Sequence, residues 1–116
     1  MITLYGIKTC DTCRKARKTL DAQGTSYRYH DLREQGLDEA LLERFIDHAG
    51  LGALLNTRST TWRALAPSEQ QAAKDDAARA RTLMLTHPTL LKRPLLDTGE
   101  RLIVGFKSDD YRTLTH

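Results

Sequence analysis

Residues 6–16 read "GIKTCDTCRKA", Gly6 to Ala16, and the fold is decided here. The stretch holds both cysteines of the chain, Cys10 and Cys13, in a C-x-x-C spacing just behind a short apolar run. Upstream, Ile2 to Tyr5 reads as a short strand. Downstream, Asp11 to about Gln23 reads as a helix with Cys13, Ala16 and Leu20 on one face, closed by Gly24. Tyr27 and Tyr29 then alternate with Ser26, Arg28 and His30, which predicts a second strand. Strand, helix and strand at this spacing make a βαβ unit with a right-handed crossover. The cysteine pair sits where the first strand hands over to the helix.

Outward from that unit the pattern turns helical. Leu37, Leu41, Leu42, Phe45, Ile46 and Ala49 recur at helical spacing, with Asp38 and Glu39 in the first turn, where carboxylates suit the helix dipole. Gly50 and Gly52 are expected to stop this helix. "ALLNTRSTTWRAL" has no clear period. Ser68 and Gln71 suggest a capping box for a helix over "EQQAAKDDAARARTLMLTH", interrupted near Lys74 to Asp76, with Ala77, Ala80 and Met84 on one face of its second half. "LLKRPLLDTGERLIVGF" reads as two strands around a turn at Asp97 to Glu100. "SDDYRTLTH" reads as a closing helix with Ser108 as its N-cap. The order is β-α-β, a helical block, then β-β-α.

Composition narrows the function. With 116 residues, 40% of them hydrophobic and 28% charged, the chain suits one soluble domain. The net charge of +3 favours an anionic small molecule or acidic partner. No long Lys/Arg block or aromatic-spaced basic stripe points to nucleic acid. No apolar run is long enough to span a bilayer, and the first residues lack the pattern of a signal peptide. Two cysteines make a poor disulfide framework, so a cytoplasmic location with reduced thiols is expected.

The chemistry sits with the thiols. Cys10 is expected at or just before the helix N-terminus, where free N–H groups and the helix dipole stabilise a thiolate. Lys8, Arg14 and Lys15 add positive charge nearby, Asp11 opposes them, and the net effect lowers the Cys10 pKa. Cys13, one turn on, is either a resolving thiol able to attack a mixed disulfide on Cys10 or a small buried residue of the inner face. Zinc needs two further ligands, and His30, His48, His87 and His116 offer no metal-spaced pair, so no metal site is expected.

Two arginines are candidates to complete a site. Arg58 lies in the aperiodic "NTR", and Arg93 precedes Pro94 at the start of a predicted strand. A guanidinium fork suits a carboxylate or oxyanion, and an oxyanion beside a thiolate needs such charge. The alternative is a solvated surface arginine in each case. Trp62 reads as a packing side chain.

Four stretches resemble the ArsC/Spx family of thioredoxin-like arsenate reductases and their relatives, and within it the small YffB-type proteins. They are "LYGIKTCDTCRKA" (4–16), "LLNTRSTTWRAL" (54–65), "HPTLLKRPLL" (87–96) and "RLIVGFK" (101–107), in family order. The resemblance implies an α/β thioredoxin-like fold, βαβ-ββα, in a single domain over 1–116 with a helical insertion at approximately 37–87. It implies Cys10 as nucleophile, Arg58 and Arg93 as anion-binding residues, and Pro94 as a cis-proline facing the nucleophile. Lys8, from its charge beside Cys10, is a further anion-binding candidate. Departures also stand out. Where the arsenate reductases carry a third arginine this chain reads "IVGFK", with Arg101 and Lys107 as the nearest cations, and their histidine before the nucleophile is absent from "YGIKTC". These departures argue against arsenate as substrate. The expected function is a glutathione-dependent thiol reductase with no bound cofactor, glutathione or another small thiol as co-substrate, and glutaredoxin as a candidate partner. The alternatives are an Spx-like redox-sensing regulator that binds RNA polymerase, as the C-x-x-C suggests, and a thioredoxin-fold protein without catalysis.

Overall fold

The computed structural model describes residues 2–106 and 108–112. Lys107, His116, the Ser108 side chain and the part of the closing helix after Arg112, all named above, lie outside the described residues. The elements run β1 (Thr3–Gly6), α1 (Asp11–Ala22), β2 (Arg28–Asp31), α2 (Glu39–Ala49), α3 (Leu51–Leu54), α4 (Thr60–Ala64), α5 (Pro67–Asp75), α6 (Ala77–Thr86), a 3-10 turn (Pro88–Leu90), β3 (Leu95–Asp97), β4 (Leu102–Val104) and α7 (Ser108–Arg112). They fall into two compact units: residues up to Gly36 together with those from Arg93 onward, and Leu37–Lys92.

The first unit is built on a four-stranded sheet in the order β2-β1-β3-β4. β1 pairs in parallel with β2 and antiparallel with β3, so Leu4 lies between Tyr29 and Leu96. β3 and β4 form the hairpin, with Leu96 opposite Ile103. Parallel neighbours need a crossover, and α1 supplies it. Its inner face is Cys13, Ala16 and Leu20, the face the spacing predicts, and all three are buried. Ala16 and Leu20 join Leu4, Leu96, Ile103 and Tyr111 in one core. Gly24, at a φ of +73°, turns the chain out of the helix toward β2. α7 adds Tyr111, which meets Phe106 edge to face at 4.9 Å. The Gln23 side-chain amide donates to the Tyr111 carbonyl at 2.8 Å, tying α7 to the end of α1. This mixed sheet with its crossover helix is the thioredoxin-like arrangement.

The second unit is helical. Asp38 caps α2 by accepting from the Leu41 N–H at 2.8 Å, and Leu42 and Phe45 are buried. Gly50 ends α2 at a φ of +85°, but Gly52 does not stop anything: it lies inside α3. The aperiodic stretch folds into α3, a bridge between Leu55 and Leu91, and α4. Ser59 caps α4 by accepting from the Trp62 N–H, and Trp62 is buried. The capping box at Ser68 and Gln71 does not form. α5 starts earlier, on Ala66 with Pro67 in its first turn, because proline's fixed φ and missing N–H suit that position. The Gln71 amide instead reaches forward to Asp75 at 2.9 Å. The break near Lys74 to Asp76 is real, with Asp76 capping α6 through the Ala78 N–H. On α6 the buried face is Ala80, Leu83 and Met84, and Ala77 is exposed rather than on it.

Candidate active site

Cys10 is the N-cap residue of α1. Its backbone is extended, its carbonyl accepts the Arg14 N–H at 3.0 Å, and its own N–H donates to the Ile7 carbonyl at 3.0 Å. The chain thus makes a turn over Ile7–Cys10 and enters the helix at the thiol. The Cys10 sulfur is half-buried and makes no cap bond. As a thiolate it is nonetheless favoured. Half-burial is the largest single influence and works against the charge. The Cys13 N–H, the Cys13 thiol and then the Arg93 guanidinium together outweigh it and hold the Cys10 pKa below the ordinary cysteine value.

Cys13 has the opposite character. It is 1% exposed, and burial above all pushes its thiol up to about 12. The neighbouring Cys10 adds to the rise, while the Ile7 backbone and the Arg93 charge oppose it. Its place is cut to fit: a Cβ added at Gly6 would stand 2.8 Å from the Cys13 sulfur and 3.2 Å from its Cβ. Only glycine lets β1 and α1 approach this closely. The two thiols therefore pair unequally, a half-buried acceptor whose thiolate is favoured and a protonated donor beneath it.

The arginine acting on Cys10 is Arg93, from the far end of the same unit. It arrives through the turn before β3, where the Arg93–Pro94 bond is cis, as the resemblance implied. Pro94 is buried, and its carbonyl accepts the Gly105 N–H at 2.8 Å, which anchors the turn to β4. The structure thus brings Cys10, Cys13, Arg93 and Pro94 together in one unit. Two of the nearby cations read from sequence pair elsewhere. Arg14 pairs with Asp11 at 2.7 Å. The Lys8 ammonium, 74% exposed, lies 3.8 Å from Glu34. Arg58 belongs to the second unit, exposed on a turn in which its N–H donates to Asn56 Oδ1 at 3.1 Å.

One residue escaped the sequence reading. Asp31, at the end of β2 and 4% exposed, accepts from the backbone N–H groups of Lys8 (2.9 Å), Arg33 (2.8 Å) and Glu34 (3.0 Å). Burial alone would raise its pKa. The three N–H groups and the Lys8 charge outweigh burial and hold the carboxyl below its ordinary value. The available signal was an aspartate closing a predicted strand, because Asp side chains bond backbone two and three residues on.

Comparison with known proteins gives the family and supports the fold. The ArsC family model matches residues 5–114. The solved structure of the YFFB (PA3664) protein superposes with a TM-score of 0.88 at 42% identity, covering 97% of this chain and 96% of that one. An arsenate reductase (ArsC) related protein from Brucella melitensis superposes with a TM-score of 0.78 at 43% identity, covering 96% and 91%. The global transcriptional regulator Spx of Bacillus subtilis is 30% identical over 114 residues, 97% of this chain and 85% of the regulator. With its thioredoxin-like sheet and a cysteine at the start of the crossover helix, the chain belongs to the ArsC family.

Proposed function

We propose that the protein is a glutathione-linked thiol oxidoreductase with Cys10 as its nucleophile. The observation that carries this reading is the Cys10 environment: a half-buried sulfur at a helix start, with the Cys13 N–H and thiol and the Arg93 guanidinium favouring its thiolate. The Cys10 thiolate attacks the glutathione sulfur of a mixed disulfide between glutathione and a substrate thiol. A Cys10–glutathione bond forms, the mixed disulfide breaks, and the substrate leaves as its thiolate. A glutathione thiolate then attacks the glutathione sulfur of the adduct, releasing glutathione disulfide and regenerating the Cys10 thiolate. In the alternative second half, the Cys13 thiolate attacks the Cys10 sulfur, glutathione leaves as its thiolate, and a Cys10–Cys13 disulfide remains. Arg93 holds an anionic group of the substrate, such as a glutathione carboxylate. A cytoplasmic location fits this chemistry.

Treatment with glutathione disulfide followed by mass spectrometry tests the scheme. Cys10→Ser is expected to take up no glutathione. Because Cys13 is protonated well above neutral pH, the wild-type adduct on Cys10 is expected to persist. Loss of the adduct in wild type but not in Cys13→Ser would instead make Cys13 the resolving thiol. A Cys10 that reacts no faster than free cysteine at pH 7 would remove the nucleophile claim altogether.

A second reading, a redox-responsive transcriptional regulator that binds RNA polymerase, is favoured by one observation. The C-x-x-C places two thiols in mutual contact in a chain related to Spx. It requires that oxidation of Cys10 and Cys13 alters binding to RNA polymerase. A pull-down in both redox states that recovers no polymerase discards it.

A further inference from the structure

We propose that Asp31 is a positioning residue for Cys10, holding the turn from which the thiol projects; the proposal rests on the reading of Cys10 as nucleophile. Asp31 lies on β2, the strand beside β1, and touches the cysteine loop at one point. Its Oδ2 accepts the Lys8 N–H at 2.9 Å. Lys8 is the second residue of the Ile7–Cys10 turn, closed by the Cys10 N–H on the Ile7 carbonyl. The carboxylate therefore pins the middle of the turn, and the turn's last residue carries the sulfur.

The anchor is itself built to stay put. Asp31 Oδ1 is held by the Arg33 and Glu34 N–H groups. The Asp31 N–H donates to Gln35 Oε1 at 2.9 Å, and the Gln35 N–H donates to the Asp31 carbonyl at 2.8 Å. Right after it, the Leu32 N–H extends the sheet by donating to the Gly6 carbonyl at 2.8 Å. Gly6 is also the residue on which the Cys13 sulfur rests. One buried carboxylate thus couples the end of β2 to the loop that sets the distance between Cys10 and its donors. A buried acceptor for three amides repays its desolvation only while all three are in place.

Asparagine makes a selective test. An amide presents one oxygen and one NH2, so it keeps the Arg33 and Glu34 bonds through its oxygen and turns a donor toward the Lys8 N–H. Asp31→Asn therefore releases the cysteine turn while leaving the β2 end capped. The readout is site-resolved alkylation of Cys10 by iodoacetamide across pH, with urea unfolding alongside. Asp31→Asn is expected to slow Cys10 at pH 7 about tenfold, the scale of a rise of about one pKa unit, and to move its profile to higher pH. The comparison variant is Asp38→Ala, which removes the α2 cap in the other unit, lowers stability by its own route, and leaves Cys10 as reactive as in wild type.

Should Asp31→Asn fail to fold, Lys8→Pro removes the same donor, at a turn position that accepts proline. Its comparison is Lys8→Ala, which loses the charge but keeps the N–H. Lys8→Pro is expected to react several-fold more slowly than Lys8→Ala. A fast wild-type Cys10 with Asp31→Asn unchanged, or Lys8→Pro matching Lys8→Ala, overturns the positioning role alone. A wild-type Cys10 no faster than free cysteine overturns the nucleophile reading as well.

Discussion

Arg93→Met slows alkylation of Cys10 at pH 7 about tenfold, the low end of what one adjacent opposite charge does to an ionisable group. Methionine keeps most of the length and apolar stem of arginine while removing the charge. The sign follows from the site. The Arg93 charge favours the thiolate and so holds the Cys10 pKa down. Without it the Cys10 pKa rises toward the ordinary value, and a smaller fraction of the thiol is ionised at neutral pH. Well above that value both proteins are fully ionised, so their rates converge at high pH. Arg93→Lys keeps the charge without the planar fork and falls between the two. The Cys13 N–H, the strongest influence lowering the Cys10 pKa, survives every substitution, so some activation remains even in Arg93→Met. Equal rates for wild type and Arg93→Met across pH 6 to 9 would show that the guanidinium serves the substrate and not the thiol.

The largest stability effect belongs to Tyr111. The side chain is fully buried between Phe106 and the sheet core, and truncation to alanine costs about 3–5 kcal/mol, the usual range for a large aromatic. Its hydroxyl is a different matter. Tyr111 Oη is buried with no hydrogen-bond partner among the described residues, and burial raises its pKa. An unsatisfied buried hydroxyl costs about 1–3 kcal/mol, so Tyr111→Phe is expected to be at least as stable as wild type, by about 1 kcal/mol. Urea unfolding of the two variants separates ring from hydroxyl. A loss on Tyr111→Phe would mean that the hydroxyl has a partner in solution.

These two residues also mark what was legible in the sequence. β1, α1 and the β3–β4 hairpin each carry their own period or turn signal, so local residues sufficed to place them. The cysteine's position followed, because a helix start is a local feature. Its electrostatics did not. Lys8, Arg14 and Lys15 are neighbours in sequence, but Arg14 is taken by Asp11 and Lys8 reaches toward Glu34. The cation that acts is Arg93, brought in by the antiparallel pairing of β1 with β3. The sequence reading placed Arg93 on a substrate anion; its action on the thiol could not be read from charge proximity along the chain. Asp31 was missed for the same reason, since its contact with Lys8 spans the parallel β1–β2 pair. In the helical unit, α3 and α4 are four and five residues long, too short for a hydrophobic period to emerge. Gly52 misled because glycine ends a helix only where a positive φ is required, and Gly50 had already met that need.

The fit of the Cys13 sulfur against Gly6 bears on oxidative damage. Climbing from thiol to sulfinic acid adds two oxygens around one sulfur. At Cys13, even a methyl-sized group from Gly6 would stand within 2.8 Å of that sulfur. The packing therefore leaves no room for added oxygens on that side, and a protonated thiol is a poor target for peroxide in any case. Irreversible oxidation of the pair is then expected on Cys10, while Cys13 keeps its thiol beneath it.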